Sequence, residues 1–402
     1  MNSVVRQMWE QNTDVVMVDT GNSYEGLCEY VGGKYISYTD EHPITMNPFA
    51  IKREELNIEK IGFLKNLIML IWKGTQGEVT KTEDRLIEQV ITEYFEEYFV
   101  KKQIENLSFN TFYEYSTVRI PQIIKENNLA GIDLAAYNYL LKDFYKGGSH
   151  ELTLNENLDT KLFDETFIVF EIDSIKDNPL LFPLVTLIIM DVFIQKMRIK
   201  KNRKVLVIEE AWKAIASPMM AEYIKYLYKT ARKFWASVGV VTQEIQDIVG
   251  SPIVKEAIIN NSDIVMLLDQ SKFRERFDKI KAILGLTDVD CKKIFTINHL
   301  ENKEGRSFFR EVFIRRGSVG GVFGVEEPHE CYMTYTTERA EKEALKLYKK
   351  ELQCDHQHAI EAYCRDWELS GITKSLPFAQ KVNQAGHVLR LKPKQEKGLN
   401  RL

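Results

Sequence analysis

Hydrophobic positions follow three different patterns along the 402 residues, and these patterns divide the chain into zones. In the first zone, residues 1–50, a short helix over Asn2–Gln11 precedes an apolar strand, Asp14–Asp19. A second strand, Lys34–Tyr38, follows a glycine turn. Helices that alternate with short apolar runs are typical of an α/β domain. The zone ends near Pro48, because proline continues neither a helix nor a strand easily.

The second zone, residues 51–160, has a helical period. Apolar residues recur mostly at spacings of three and four, and the Lys146-Gly147-Gly148 turn closes the zone. The expected helices cover residues 58–71, 87–98, 109–115, 121–127 and 134–145. Because no β-rich stretch of any length interrupts them, the sequence predicts an all-α insertion into the α/β domain.

The third zone, residues 161–337, alternates strands and helices again. The expected strands are 167–171, 205–208, 238–241, 264–268 and 308–314. The helices between them are expected over 179–197, 217–234, 273–284 and 288–295, the first capped by Asp177 or Asn178. Fully apolar strands that alternate with helices indicate a parallel sheet covered on both faces.

The remaining residues, 338–402, are predicted to be helical and loosely patterned. Their last stretch is basic, and we expect part of it to be disordered. The longest apolar run, Leu180–Met190, is shorter than the ~20 residues that a bilayer span requires. It is therefore interpreted as a buried helix.

The composition is that of a globular protein, with 44% hydrophobic and 28% charged residues. The net charge of −4 gives no overall attraction to nucleic acid, although local basic patches remain open. Five scattered cysteines without a paired spacing are typical of a reducing cytoplasm.

An acidic pair follows one of the apolar strands. Val205–Ile208 runs directly into Glu209 and Glu210, as in a Walker B element. Glu209 takes the metal-side position, where aspartate is more common, and Glu210 takes the position of a general base that activates water. The alternative interpretation is that the pair only begins a solvated helix.

A second polar group follows the next strand. Thr242 and Gln243 come at its carboxyl end, where ligands bind in open α/β sheets. Gln243 is suited to hydrogen-bond a γ-phosphate or the attacking water. A simple exit from strand to loop is the alternative.

Basic side chains supply further candidates. Arg232 and Lys233 lie on the helix after the acidic pair, facing either a nucleotide, a neighbouring subunit or only solvent. Arg306 and Arg310 lie near the start of the last strand, where an arginine can stabilise transferred phosphoryl charge on a neighbouring subunit. Arg315 and Arg316 are additional candidates for that role.

Asp19 ends the first strand, next to the place where a phosphate-binding strand is expected. It either approaches a nucleotide or only caps the following turn. The phosphate-binding loop itself, G-x-x-x-x-G-K-[ST], does not occur in the 402 residues. We expect Met1 to be an internal methionine just downstream of that loop, and this chain alone to bind nucleotide weakly without turnover.

Several longer runs resemble the TraG-type conjugation ATPases of type IV secretion systems. They lie between Met1 and Thr337 and include residues 18–24, 170–177, 208–216, 221–234, 241–244, 251–255 and 259–262. The resemblance implies a RecA-like P-loop NTPase sheet with an all-α insertion, which agrees with the three zones. It also implies ATP and Mg²⁺ as cofactors, although the Walker A ligands are absent from this chain.

The resemblance further implies partners and a location. Members of this family energise assembly of the channel or pilus, or substrate transfer, usually as hexamers at the cytoplasmic face of the inner membrane. Other secretion subunits would be partners, and DNA contact would be indirect. Two alternatives stay open: another RecA-like DNA translocase, and a non-enzymatic docking module that has lost hydrolysis.

Overall fold

The computed structural model describes residues 1–157, 160–210, 218–242, 258–299 and 309–391. The chain divides into two compact units. The parallel-sheet unit comprises Trp9–Gly21 and Tyr35–Ser262. The antiparallel-sheet unit comprises Met1–Met8, Asn22–Lys34 and Asp263–Leu402.

The strands are β1 Thr13–Asp19, β2 Lys34–Ser37, β3 Phe167–Glu171, β4 Arg203–Glu209, β5 Ala236–Val241, β6 Ile264–Leu267, β7 Phe309–Arg316 and β8 Val319–Glu326. The helices are α1 Asn2–Glu10, α2 Glu25–Tyr30, α3 Ile58–Lys73, α4 Lys81–Phe95, α5 Phe109–Glu126, α6 Leu134–Leu141, α7 Glu151–Asn155, α8 Leu181–Ile199, α9 Pro218–Ala231, α10 Phe277–Leu284, α11 Asp288–Ile294, α12 His329–Tyr335, α13 Arg339–Leu352, α14 His356–Ser370 and α15 Ser375–Ala385. A π-helix, Glu96–Lys102, continues α4.

The sheet of the parallel-sheet unit has the strand order β2-β3-β1-β4-β5. Strand β1 pairs in parallel with β3 and β4, and β4 pairs in parallel with β5. Every residue of β1 and β3 is buried, as expected for strands covered on both faces. The predicted parallel α/β arrangement is confirmed for these strands.

The order of the strands defines a crevice. From β1 the chain proceeds to β2 and β3 on one side of the sheet, whereas β4 and β5 lie on the other side. The connection that follows β1 therefore leads to one side of the sheet, and the connection that follows β4 leads to the other side. The two connections diverge between β1 and β4. Ligands of open α/β sheets bind at such a point, outside the carboxyl ends of the strands.

The predicted all-α insertion is present and packs around aromatic rings. The ring of Phe49 stacks on Phe112 at 4.9 Å and meets Tyr94 edge-on at 5.9 Å. The expected break before Pro121 does not occur, because Pro121 lies inside α5. Proline has no N–H, so the backbone carbonyl four residues earlier has no helical partner. Because Pro121 is exposed, that carbonyl lies on the solvent side of the helix and can be hydrated.

Helix α8 contains the apolar run that was interpreted as a buried helix, and nearly all of its residues are buried. Of the two residues expected to cap this helix, Asn178 forms the cap. Its Oδ1 accepts hydrogen bonds from the backbone N–H groups of Leu180 and Leu181, at 3.0 and 2.9 Å.

The antiparallel-sheet unit differs from the sequence prediction. Strands β6 and β7 were expected in the parallel sheet, but they form a separate sheet with the order β6-β7-β8. Strand β8 was not predicted. It pairs with β7 through a two-residue turn in which Gly317 has a φ of +57°. Glycine adopts this left-handed conformation without strain, and such a short turn forces an antiparallel pair.

The helices after residue 338 are more ordered than their loose pattern indicated. Helices α13, α14 and α15 share a buried core that contains Tyr348, Trp367 and Phe378. They form a packed bundle, and residues 392–402, the basic end of the expected tail, lie outside the described residues. Within the described ranges, no helix combines the length and apolarity that crossing a bilayer requires.

Candidate functional site

Three acidic residues end neighbouring strands of the parallel sheet. Asp19 of β1 is paired with Glu171 of β3. On the other side, Val18 of β1 is paired with Ile208 of β4. Asp19 and Glu209, the residues that follow this pair, therefore lie side by side at the ends of the two strands. Because the strands are parallel, these carboxylates share the carboxyl edge of the sheet, at the β1–β4 crevice.

Asp19 is fully buried, and its Oδ1 accepts a hydrogen bond from the backbone N–H of Gly21 at 3.2 Å. This contact is the one expected from the turn-capping interpretation. This contact does not exclude an approach to nucleotide. The nucleotide-binding role of Asp19 stays a prediction.

Glu171 was missed as a site residue. Only 6% of its surface is exposed, and its carboxylate accepts hydrogen bonds from the Tyr35 hydroxyl and the Asp173 backbone N–H, at 3.3 and 2.8 Å. The signal was present in the sequence, since the apolar run 167–170 ends in an acidic residue as 205–208 does. Glu171 adds negative charge beside Asp19.

Glu209 and Glu210 are both half-buried at the end of β4. Glu209 is still in the strand and pairs with Val241, but Glu210 has a φ of +47°. A non-glycine residue in this left-handed region costs on the order of 1–3 kcal/mol, and such residues concentrate at functional sites. The chain therefore turns sharply out of the sheet at the predicted general base.

Thr242 follows Val241 directly, so it comes level with Glu210 at the carboxyl edge. It is half-buried. The structure thus places Asp19, Glu209, Glu210 and Thr242 along one edge of the sheet. Gln243, the predicted partner of a γ-phosphate, lies outside the described residues.

Arg232 and Lys233 are placed elsewhere. They lie in the turn that precedes β5, where the Lys204 ammonium donates a hydrogen bond to the carbonyl of Phe234 at 3.1 Å. This is the amino end of β5, and six strand residues separate it by about 20 Å from the carboxyl edge. The two side chains are exposed, and they do not join the carboxylates of their own chain.

The remaining predicted residues are two arginines. Arg310 is exposed on β7, in the antiparallel-sheet unit. Arg306 lies outside the described residues. A role for either arginine stays a prediction.

The carboxyl edge does not form a complete metal cage. Within the part of the chain that the structure describes, no three acidic, histidine or cysteine side chains converge closely enough to hold a metal ion. Magnesium usually keeps several waters and binds one or two carboxylates together with substrate phosphates. The carboxyl groups at this edge have the ligand chemistry that such a shared site requires, and Glu209 as a magnesium ligand stays a prediction.

A comparison with family models identifies the family of this chain. The model of the TraG P-loop domain matches residues 1–367. The chain belongs to the TraG P-loop domain family. Among curated relatives, protein TraC of Escherichia coli strain K12 is 22% identical over 277 residues, which cover 67% of this chain and 30% of TraC. This chain therefore spans less than a third of the length of that relative.

Solved structures share the TraG P-loop fold. VirB4 of Thermoanaerobacter pseudethanolicus matches with a TM-score of 0.57 and 19% identity, over 81% of this chain and 85% of VirB4. The conjugative coupling protein TrwB, without its first 70 residues, matches with a TM-score of 0.51 and 12% identity, over 81% of each chain. TrwB has also been solved with ADP and Mg²⁺, at a TM-score of 0.50, 12% identity and coverages of 81% and 80%. At these identities, the likeness establishes the fold.

Proposed function

We propose that this TraG P-loop domain supplies the catalytic carboxylates of an ATPase that drives a conjugative type IV secretion system. The row of Asp19, Glu209 and Glu210 at the carboxyl edge, beside the β1–β4 crevice, carries the proposal. Family membership supports it, and so does the ADP and Mg²⁺ complex of the similar TrwB. Transfer of DNA or protein, or assembly of the channel or pilus, would consume the energy.

The side chains divide the chemistry among them. Glu210 accepts a proton from the attacking water or orients it toward the terminal phosphate. Glu209 would hold magnesium through a water, because its side chain is one methylene longer than the usual aspartate. Thr242 and Gln243 follow β5 and are assigned to contacts with the terminal phosphate. Magnesium, when bound with ATP, neutralises charge that develops on the phosphates.

The chain does not contain the loop that would hold those phosphates. Without the G-x-x-x-x-G-K-[ST] motif it lacks the backbone amides, lysine and hydroxyl of a Walker A site. We assign these groups to polypeptide outside the 402 residues. The chain alone is then expected to bind nucleotide weakly and not to turn it over.

Arginines are assigned to a neighbouring subunit. Arg232 and Lys233 lie at the amino end of β5, too far along the strand to reach their own carboxyl edge. They and the pair Arg306 and Arg310 are therefore proposed to act in trans, in a homo-hexamer at the cytoplasmic face of the inner membrane. Other secretion subunits would dock on this ring, and DNA contact would be indirect.

The test compares two polypeptides. One is the 402-residue chain, and the other is the same chain extended upstream through the in-frame codons of its gene. Saturable, magnesium-dependent ATP hydrolysis by the extended protein, and none by the 402-residue chain, supports the proposal. Equal turnover by the 402-residue chain would contradict the requirement for a P-loop.

The absent P-loop motif favours a second function. In that reading the fold is a non-enzymatic docking module, and hydrolysis has been lost. This alternative predicts a closed reading frame or a degenerate loop upstream of Met1, and no turnover by either polypeptide. A DNA translocase is less favoured, because a net charge of −4 provides no general attraction to DNA.

A further inference from the structure

One face of the antiparallel sheet is apolar and exposed. Pairing between the strands places alternate residues of β6, β7 and β8 on the same side. We call this side the open face. It consists of Ile264, Met266, Arg310, Val312, Ile314, Arg316, Val319, Gly321, Phe323 and Val325.

The opposite side of the same sheet is covered. Phe313 is fully buried there, and Lys293, on α11, donates a hydrogen bond to the carbonyl of Gly320 at 2.7 Å. The Glu311 carboxylate accepts a hydrogen bond from the backbone N–H of Asn298 at 2.5 Å. The packed side of the sheet is therefore the one opposite the open face.

Large apolar side chains on the open face remain in contact with solvent. The exposed fractions are 50% for Ile264, 42% for Met266, 76% for Val319 and 53% for Phe323. Single exposed apolar residues need no explanation, but a contiguous set of them marks an interaction surface. The Phe323 ring lies close to Gly321, 3.3 Å from the position that a Cβ atom would take there.

The charges on the open face have one sign. Arg310 and Arg316 stand near the two ends of β7, and both are exposed. None of the positions assigned above to this face is acidic. Six residues of antiparallel strand place the two arginine Cα atoms about 20 Å apart. An occupant with a carboxylate near each end would match this pattern.

We propose that the open face binds an amphipathic acidic helix of a partner protein. A helix that spans about 20 Å has roughly 14 residues, or four turns. Its apolar stripe covers Met266, Val319 and Phe323, and its terminal carboxylates pair with Arg310 and Arg316. Peptide recognition of this kind uses anchors on one helix face.

Single-stranded nucleic acid is a weaker match to the open face. Proteins that bind it stack successive bases on several aromatic rings along a basic groove. The open face offers one aromatic ring, Phe323, among aliphatic side chains. Aliphatic packing with charged ends is the chemistry of a helix in a hydrophobic groove.

The test uses two synthetic 14-residue helices with the same leucine stripe, one ending in glutamates and the other in lysines. Binding to the 402-residue chain is followed by fluorescence anisotropy. The glutamate peptide should bind, and Phe323→Ser should weaken it about tenfold or more, as for a buried aromatic anchor. Val118→Ser, at an exposed valine of the insertion, is the matched control and should change nothing.

A charge reversal tests the arginine contact separately. Arg316→Glu should weaken the glutamate peptide roughly fivefold and bring the two peptides to similar affinity, because one end of the face then attracts each peptide and the other end repels it. Arg339→Glu, at an exposed arginine of α13, is the control and should leave the preference for glutamate unchanged. If circular dichroism shows that the Phe323→Ser variant is not folded, the Val319→Asp variant replaces it.

Several results would overturn the proposal. The wild-type chain could bind neither peptide, or it could bind both equally. Binding of the glutamate peptide could also survive both Phe323→Ser and Val319→Asp. Tighter, Phe323-dependent binding of a 14-residue oligothymidylate would assign the face to nucleic acid instead. A wild-type dimer that Phe323→Ser dissociates in sedimentation would assign it to a second copy of the chain. None of these measurements depends on ATP hydrolysis.

Discussion

Val18 of β1 and Ile208 of β4 are partners in parallel register, which places Asp19 and Glu209 at the same edge of the sheet. Asp19 and Glu209 are 190 residues apart in the chain, because the all-α insertion and β3 intervene. Two acidic residues that are distant in sequence thereby approach the same crevice. The proposed division of roles between Glu209 and Glu210 depends on this pairing.

Glu209 is expected to act through magnesium. In the upstream-extended protein, Glu209→Gln should raise the Mg²⁺ concentration required for half-maximal hydrolysis by about tenfold or more, because a metal contact has lost its charge. Glu209→Asp retains the charge and should stay within a few-fold of the wild type. Magnesium titrations of the hydrolysis rate measure both. An equal effect of the two substitutions would contradict the metal role.

Lys196 and Asp14 form a buried ion pair at the amino edge of the sheet. Their Nζ and Oδ2 atoms are 2.9 Å apart, and Lys196 also donates to the carbonyls of Phe163 and Glu165. Lys196→Met leaves Asp14 charged, buried and without this cation. The free energy of unfolding should fall by about 3–5 kcal/mol, measured by urea denaturation.

Lys200 provides the matched control on the chain segment after α8. Its ammonium pairs with Asp164 at 2.6 Å, but Asp164 is largely exposed. Lys200→Met should therefore lower the free energy of unfolding much less than Lys196→Met does. Similar losses for the two substitutions would show that burial does not determine the strength of the Lys196 network.

Gly320 and Gly321 are neighbours on opposite faces of β8. A Cβ atom at Gly320 would lie 2.6 Å from the Phe313 ring and 2.8 Å from Asp290 Oδ1, inside the packed side of the sheet. Gly320→Ala should destabilise the protein by about 1–3 kcal/mol. At Gly321 the nearest atoms belong to the half-exposed Phe323 ring, at 3.3 Å, and this ring can move. Thermal denaturation should therefore show a much smaller change for Gly321→Ala.

His356 should make the protein less stable in acid. Burial lowers its pKa below the ordinary 6.5, although the Glu29 carboxylate, 3.3 Å away, opposes the shift. The unfolded chain then binds the proton more readily than the folded one. The stability that neutral His356 contributes is present above pH 6.5 and is lost as the pH falls through the folded pKa. Replacement by glutamine should reduce the loss of stability between about pH 7 and pH 5.

His358, on the same helix, should behave in the opposite way. Its Nδ1 atom lies 2.7 Å from Asp355 Oδ1, and this hydrogen bond raises the pKa of the exposed imidazole. Its contribution to stability is present below pH 6.5 and is lost as the pH rises. His358→Gln should therefore steepen the loss in acid. Urea denaturation at several pH values compares the two variants, and a shift of the same sign for both would contradict the assignments.

Much of the parallel-sheet unit could be predicted from the sequence. The apolar runs that became β1, β3 and β4 are buried on both faces, and this burial is what produces an uninterrupted hydrophobic strand. The acidic pair at 209–210 was recognisable because it interrupts such a run. Glu171 follows the same rule, and only its pairing with Asp19 shows that it belongs to the edge.

Other features depend on contacts that a local pattern does not contain. Strands β6 and β7 are apolar enough for either sheet, and the Gly317 turn, which returns β8 along β7, commits β7 to an antiparallel sheet. The position of Arg232 depends on the length of α9, which returns the chain to the amino edge before β5 begins. Pro121 is accommodated within a helix because it faces solvent. The presence of a proline in the sequence does not show which way that residue faces.

The most direct test of the central claim is Glu210→Gln in the upstream-extended protein. ATP binding and hydrolysis are measured on the same preparation. If Glu210 activates water, the substitution should lower the rate by about 10²–10⁴-fold and leave the affinity for ATP within a few-fold of the wild type. A rate that survives the substitution, with ATP still bound, would show that the carboxyl edge of β4 is not where hydrolysis is catalysed.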